Sequence, residues 1–174
     1  KAESNDYVLL AFPLVEGTTL CDARLTPEQI CQLAETLALL YGYGSEIPVP
    51  TGLLKETFAL PFLDRFHSAL AKAHFFPALR IMLGAYATEI EEGTTILQAL
   101  VNKLQNNPPR LALCHTDVHG WNLMWQERLL LIDWEGLRLA PVEADLFSFT
   151  NGFFFDYAGD SFMEAYRDLR PEYR

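Results

Sequence analysis

Cys114-His115-Thr116-Asp117-Val118-His119-Gly120-Trp121-Asn122, followed by the apolar run Leu129–Ile132 and then Asp133, is the stretch on which the fold turns. It spells H-x-D-x-x-x-x-N, then two apolar runs, Leu123–Trp125 and Leu129–Ile132, around a polar turn at Gln126–Arg128. Apolar, turn, apolar at this spacing predicts a β-hairpin, with Asp133 displayed at its far end. Taken singly, each polar residue here has an ordinary reading. An Asp or Asn on a loop is usually a cap or turn residue, and a His beside a buried strand is usually a hydrogen-bonded structural group. Together they form the set needed to move a phosphoryl group from ATP to a hydroxyl. One carboxylate holds and deprotonates the hydroxyl, while an amide oxygen and a second carboxylate hold magnesium against the phosphates.

Outward from this stretch, 174 residues suffice for a sizeable core. Half of the residues are hydrophobic, which points to a globular chain rather than a disordered one. The net charge of −10 argues against nucleic acid and suits a cationic small substrate. Cys21, Cys31 and Cys114 form neither a disulfide framework nor a C-x-x-C metal pair, so a reducing cytoplasm is the simple expectation. No apolar run reaches the length of a transmembrane helix, and no signal peptide is visible, so no membrane partner is expected.

Tyr7–Phe12 reads as a buried strand running into a connector, Pro13–Gly17. Thr26, Pro27 and Gln29 make a capping box with Pro at the first helical position, and Ile30, Leu33, Ala34, Leu37 and Leu40 continue at helical spacing up to Gly42 and Gly44. Residues 61–92 predict two helices, the second stopped by Gly93, with Thr94 capping a third through Leu104. Leu111–Cys114 reads as a short buried strand, and Ala144–Thr150 and Ser161–Leu169 as helical. The expected class is α+β, mostly helical.

His115–Asn122, then Leu131-Ile132-Asp133-Trp134-Glu135, then Ala140-Pro141-Val142-Glu143-Ala144-Asp145-Leu146, resembles the aminoglycoside phosphotransferase family, and within it the spectinomycin phosphotransferase type. The resemblance implies a protein-kinase-like C-terminal lobe with a catalytic-loop hairpin, and a cytoplasmic antibiotic kinase using ATP or GTP with Mg2+. It implies Asp117 as the catalytic carboxylate, and Asn122 and Asp133 as magnesium ligands. His115 becomes a post bracing the loop, and Asp145 the buried carboxylate that ties the loop down through backbone N–H groups. Trp134 takes a packing role, and His119 falls where it could meet the transferred phosphate. Phe12, Pro13 and Val15 take the adenine hinge, with Phe12 as gatekeeper.

The resemblance divides the chain into 1–17, the last N-lobe strand and hinge, and 18–174, the helical C-lobe. The catalytic core is then 111–146, and the acceptor-binding helical part 55–107 with 147–174. No G-x-G-x-x-G occurs, and none of Lys1, Lys55, Lys72 or Lys103 sits where the ATP-pairing Lys should. The chain is therefore expected to be a piece of a longer protein, lacking the N-lobe, inactive alone, and prone to self-association through the exposed edge of Tyr7–Phe12. Glu89, Glu91, Glu92, Asp156, Asp160 and Glu164 are candidates for pairing with the amines of an aminocyclitol, with Asp156 and Asp160 foremost. Two other readings remain open: a kinase-like fold used only for binding, and a zinc hydrolase built on His115, Asp117 and His119.

Overall fold

Helix α1 (Pro27–Gly42) organises the molecule, and it starts as its sequence dictates. The Gln29 N–H donates to Thr26 Oγ1 at 3.3 Å, and the Thr26 N–H donates to Gln29 Oε1 at 2.8 Å, so two otherwise orphaned donors are satisfied. Ile30, Leu33, Ala34, Leu37 and Leu40 share the buried stripe. Each completely buried leucine contributes about 1.5–3 kcal/mol of transfer free energy, so this stripe fixes which face of α1 turns inward. That face packs along α7 (Gly159–Leu169) and against strand β4 (Ala112–Cys114). The computed structural model describes residues 2–3, 8–9, 14–21, 23–43, 51–72, 76–150, 155 and 158–173.

The hairpin expected after Asn122 forms from β5 (Leu123–Trp125) and β6 (Leu129–Leu131), in the register Leu123↔Leu131. Strand β3 (Thr18–Thr19) adds to the other side of β5, a pairing the apolar pattern does not signal. A second antiparallel pair joins β4 to β7 (Arg138–Ala140). Lys55 bridges Leu139 in parallel, so the segment after α2 (Thr51–Leu54) leans on β7. The expected strand Tyr7–Phe12 is described only at Val8–Leu9, as β2, which pairs with β1 (Ala2–Glu3). One edge at Val8 and Leu9 is thus covered by the chain's own first residues.

The helical region departs from expectation at one point. Helices α3 (Phe62–Lys72) and α4 (Pro77–Ala85) form, but α5 runs unbroken over Ala87–Asn106. Gly93 does not stop it and Thr94 does not cap it. Instead Thr94 Oγ1 donates back to the Ile90 carbonyl at 2.7 Å, and Thr95 Oγ1 does the same to Glu91 at 2.9 Å. A single interior Gly costs only about 1 kcal/mol, too little by itself to end a 20-residue helix. The break between α4 and α5 falls at Tyr86.

Near the C-terminus, α6 (Glu143–Leu146) passes into a 3-10 turn, Phe147–Phe149. Aromatic rings then build a column through the core. Phe155 stacks on Phe149, Phe149 on Phe162 at 3.6 Å between centroids, and Phe162 on Tyr166 at 6.0 Å. The edge of Tyr41 on α1 closes the column against Tyr166, at 5.9 Å and 75°. Among the described residues no helix is long and apolar enough to cross a membrane, and none of the three cysteines is disulfide-bonded.

Candidate active site

The loop after β4 is held from below by Asp145 on α6. Asp145 is fully buried, and its carboxylate accepts three hydrogen bonds. The His115 N–H reaches Oδ2 at 2.9 Å, the Thr116 N–H reaches Oδ1 at 2.5 Å, and the Tyr41 hydroxyl reaches Oδ2 at 3.1 Å. Burial pushes the Asp145 carboxyl above its ordinary range, while these three donors pull the other way. Thr116 is thereby kept in the left-handed region at φ 69°. For a β-branched residue that conformation stores about 1–3 kcal/mol of strain, so it persists only where its surroundings impose it. The Thr116 hydroxyl donates to the Gly136 carbonyl at 2.7 Å, which ties the loop to the segment following Asp133.

His115 is also fully buried, and both of its ring nitrogens are engaged. Nδ1 accepts the Asp117 N–H at 3.3 Å, which places the ring proton on Nε2, 2.9 Å from the Ile132 carbonyl. The Trp134 ring meets it edge-on at 4.8 Å. A histidine so committed has no lone pair left for zinc, and among the described residues no group of three His, Cys, Asp or Glu side chains could hold a metal. These two facts remove the ground for the zinc-hydrolase reading.

Asp117, His119 and Asn122 converge. Asn122 Nδ2 donates to the Asp117 carbonyl at 2.9 Å and to Asp117 Oδ2 at 3.0 Å. His119 Nδ1 accepts the Trp121 N–H at 3.2 Å, so the ring proton lies on Nε2, 3.2 Å from Asp117 Oδ1. His119 therefore addresses the Asp117 carboxylate. Asp117 itself is exposed.

Asp133 stands one residue past the partner of Asn122 in the hairpin, because the Ile132 N–H donates to the Asn122 carbonyl at 2.9 Å. It adopts φ 65°, which Asp tolerates better than most residues, and its side chain caps no helix. With Nδ2 of Asn122 spent on Asp117, the amide presents Oδ1. An amide oxygen and a carboxylate are hard donors of the kind magnesium takes, so the residues present fit that ion.

Of the remaining sequence candidates, Phe12, Pro13 and Asp156 lie outside the described residues, and Val15 is half-buried just before β3. Asp160 and Glu164 line an open cavity of about 890 Å3 between the Phe147–Phe149 turn and α7. Glu89, Glu91 and Glu92 lie exposed near the start of α5. A second cavity, of about 600 Å3, touches Thr116 and is walled by Glu56, Phe58, Arg138 and Glu143. Glu56 and Arg138 pair across it at 3.5 Å. Sequence reasoning passed over Glu56, Arg138, Glu143 and Tyr41. Tyr41 follows Leu37 on the apolar stripe, so it reads as ordinary core, while Glu56 reaches the loop only through the bridge to β7.

The family model described as the phosphotransferase enzyme family (APH) matches residues 1–174. Among curated proteins, the chain is 27% identical over 153 residues to Protein StrN of Streptomyces griseus, covering 80% of this chain and 47% of that protein. Among solved structures it is similar to spectinomycin phosphotransferase APH(9)-Ia. The complex with ADP and spectinomycin superposes with a TM-score of 0.66 at 21% identity, covering 88% of this chain and 51% of that one. The AMP-bound complex gives 0.70 at 23% identity, covering 88% and 53%. The chain thus spans about half the length of the relatives it matches, and it shares their kinase-like fold.

Proposed function

The chain belongs to the phosphotransferase enzyme family, and from that premise we propose that the protein carrying it moves the γ-phosphoryl group of ATP or GTP to a hydroxyl of a cationic aminocyclitol or aminoglycoside. The observation that carries this reading is the convergence of Asn122 on Asp117, 3.0 Å between Nδ2 and Oδ2, on a loop anchored by Asp145. In the proposed step the acceptor oxygen forms a bond to the γ-phosphorus as the bond to the bridging oxygen of the leaving diphosphate breaks. The acceptor proton passes to the Asp117 carboxylate, help of a kind worth about 10²–10⁴ in rate. His119 Nε2 and Asn122 Nδ2 orient that carboxylate before the acceptor arrives. Asn122 Oδ1 and Asp133 would hold Mg2+, which neutralises phosphate charge when bound.

Phe12, Pro13 and Val15 are proposed to receive the adenine edge. The cavity touching Thr116 is the proposed acceptor space, with Glu56 and Glu143 to meet amines. Asp160 and Glu164 offer a second carboxylate pair at the other cavity. That the APH(9)-Ia structure holds ADP and spectinomycin supports both ligand classes. A cytoplasmic location, where ATP is abundant, belongs to the same proposal.

The test is Mg2+-dependent ADP release by the protein carrying this chain, with amine-bearing cyclitols and with neutral polyols as acceptors. Turnover restricted to the amine-bearing set, and lost in Asp117→Asn, is the expected result. Absence of both turnover and nucleotide binding would overturn the proposal.

A further inference from the structure

We propose that Tyr41 is a positioning residue for the catalytic loop: its hydroxyl, donated to Asp145 Oδ2 from helix α1, fixes the carboxylate that holds the backbone of His115 and Thr116 and, through them, Asp117. Its part in phosphoryl transfer rests on the function proposed above, whereas its hold on the loop does not.

Asp145 receives its two backbone N–H groups from adjacent loop residues, one on each carboxylate oxygen. Both of those anchors belong to the loop itself, so without a third contact the carboxylate and the loop can shift together, because the terminal torsion of Asp is broad. The Tyr41 hydroxyl comes from an element 104 residues away in sequence and donates to Oδ2, the oxygen that the His115 N–H also reaches, so it ties the carboxylate to α1 rather than to the loop alone. Asp145 is fully buried, so solvent does not offer a replacement donor.

Tyr41 is itself fixed. It is 3% exposed, and its ring edge abuts Tyr166, the end of the aromatic column that runs through Phe162 and Phe149. Burial, and then the nearby Asp145 charge, push the Tyr41 phenol well above its ordinary value, so it remains a donor throughout the neutral range. The hydroxyl is thus aimed by the packing of α1 on α7, which links the C-terminal helix to the loop.

The downstream consequence is local. Thr116 holds a left-handed conformation that its own side chain disfavours, and Asp117 is the next residue. If Asp145 turns, Thr116 relaxes and the Asp117 carboxylate moves with it. A misplacement of about 1 Å at a reacting group can cost about 10²-fold in rate, so a partial release at the loop is expected to cost about tenfold.

The experiment is Tyr41→Phe in the protein that carries this chain, read by amide hydrogen exchange. Exchange at His115 and Thr116 should accelerate about tenfold more than at Leu33 and Leu37 in α1. Acceleration of all four amides in step would make Tyr41 a packing residue only and overturn the inference. In the kinetic arm, kcat falls about tenfold with KM for ATP unchanged. Should the unmodified protein transfer phosphate to no acceptor, the functional reading fails while the exchange result still decides the role of Tyr41. If Tyr41→Phe does not fold, 3-fluorotyrosine placed at position 41 keeps the ring and strengthens the donor. The amide resonances of His115 and Thr116 should then shift while that of Leu33 stays; unshifted loop resonances would overturn the inference.

Discussion

The side-chain amide of Asn122 places Nδ2 3.0 Å from Oδ2 of Asp117 and 2.9 Å from the Asp117 carbonyl. Two acceptors on one side of the amide settle its orientation, because the reverse would set oxygen against oxygen. The two residues proposed for proton transfer and metal binding are therefore one hydrogen-bonded unit, and changes at either should be felt at the other.

Replacing Asp117 by Asn keeps the volume and removes the proton acceptor. We expect kcat for phosphoryl transfer to fall by about 10²–10⁴ with KM for ATP little changed. Steady-state ADP release measures this; a fall of less than about threefold would remove Asp117 from the chemistry.

Divalent-ion binding should need Asn122 and Asp133 together. Mn2+ titration followed by electron paramagnetic resonance, with nucleotide present, should show affinity reduced at least about tenfold in Asp133→Ala and in Asn122→Ala. Glu143→Gln, which alters neither proposed ligand, should bind Mn2+ as before. Equal affinity in all four proteins would place the ion elsewhere.

Gly136 sits where the loop and the segment after Asp133 touch. A Cβ there would lie 2.6 Å from Thr116 Oγ1 and 3.1 Å from the His115 carbonyl. Overpacking of this kind costs about 1–3 kcal/mol. Urea unfolding of Gly136→Ala should show that loss, whereas Gly93→Ala, with open space around the added methyl, should be neutral or stabilising. Similar behaviour of the two variants would contradict the close approach.

Alkaline pH should destabilise the fold through Cys114 and Tyr41. Burial, followed in each case by the Asp145 charge, pushes the Cys114 thiol up and the Tyr41 phenol well above its ordinary value. A raised folded-state pKa contributes stability that is complete below the unfolded value and is lost as pH climbs toward the folded one. The loss therefore begins at about pH 8.5, where an unfolded cysteine ionises, and steepens near about pH 10 for tyrosine. Denaturant midpoints from pH 7 to 11 should fall less steeply in Cys114→Ala than in the unmodified chain. Parallel curves would count against the thiol as a source.

Much of this protein is written locally. The Thr26–Gln29 capping box, the apolar stripe from Ile30 to Leu40 and the hairpin after Asn122 follow from near-neighbour rules: a side chain reaching three residues along, a 3.6 or 2 residue period, a polar turn. The order His115, Asp117, Asn122, Asp133 was legible for the same reason, since one loop and one hairpin carry all four. Gly93 misled because a local penalty of about 1 kcal/mol was outweighed along a 20-residue helix.

The tertiary structure decided what depends on contacts distant in sequence. The Tyr41 hydroxyl meets Asp145 across 104 residues. The short pairings of β3 with β5 and of Lys55 with Leu139 carry too few residues to show any period, and the second of them brings Glu56 to the wall of a cavity at Thr116. The direction of His119 depends on which ring nitrogen the Trp121 N–H occupies, a choice made by backbone geometry. Residue order along the chain thus determined which chemical groups are present and which neighbours they have on one loop. Packing of α1 on α7 and of α6 beneath the loop determined how those groups are aimed, because aim is a property of contacts made by segments that the chain only brings together on folding.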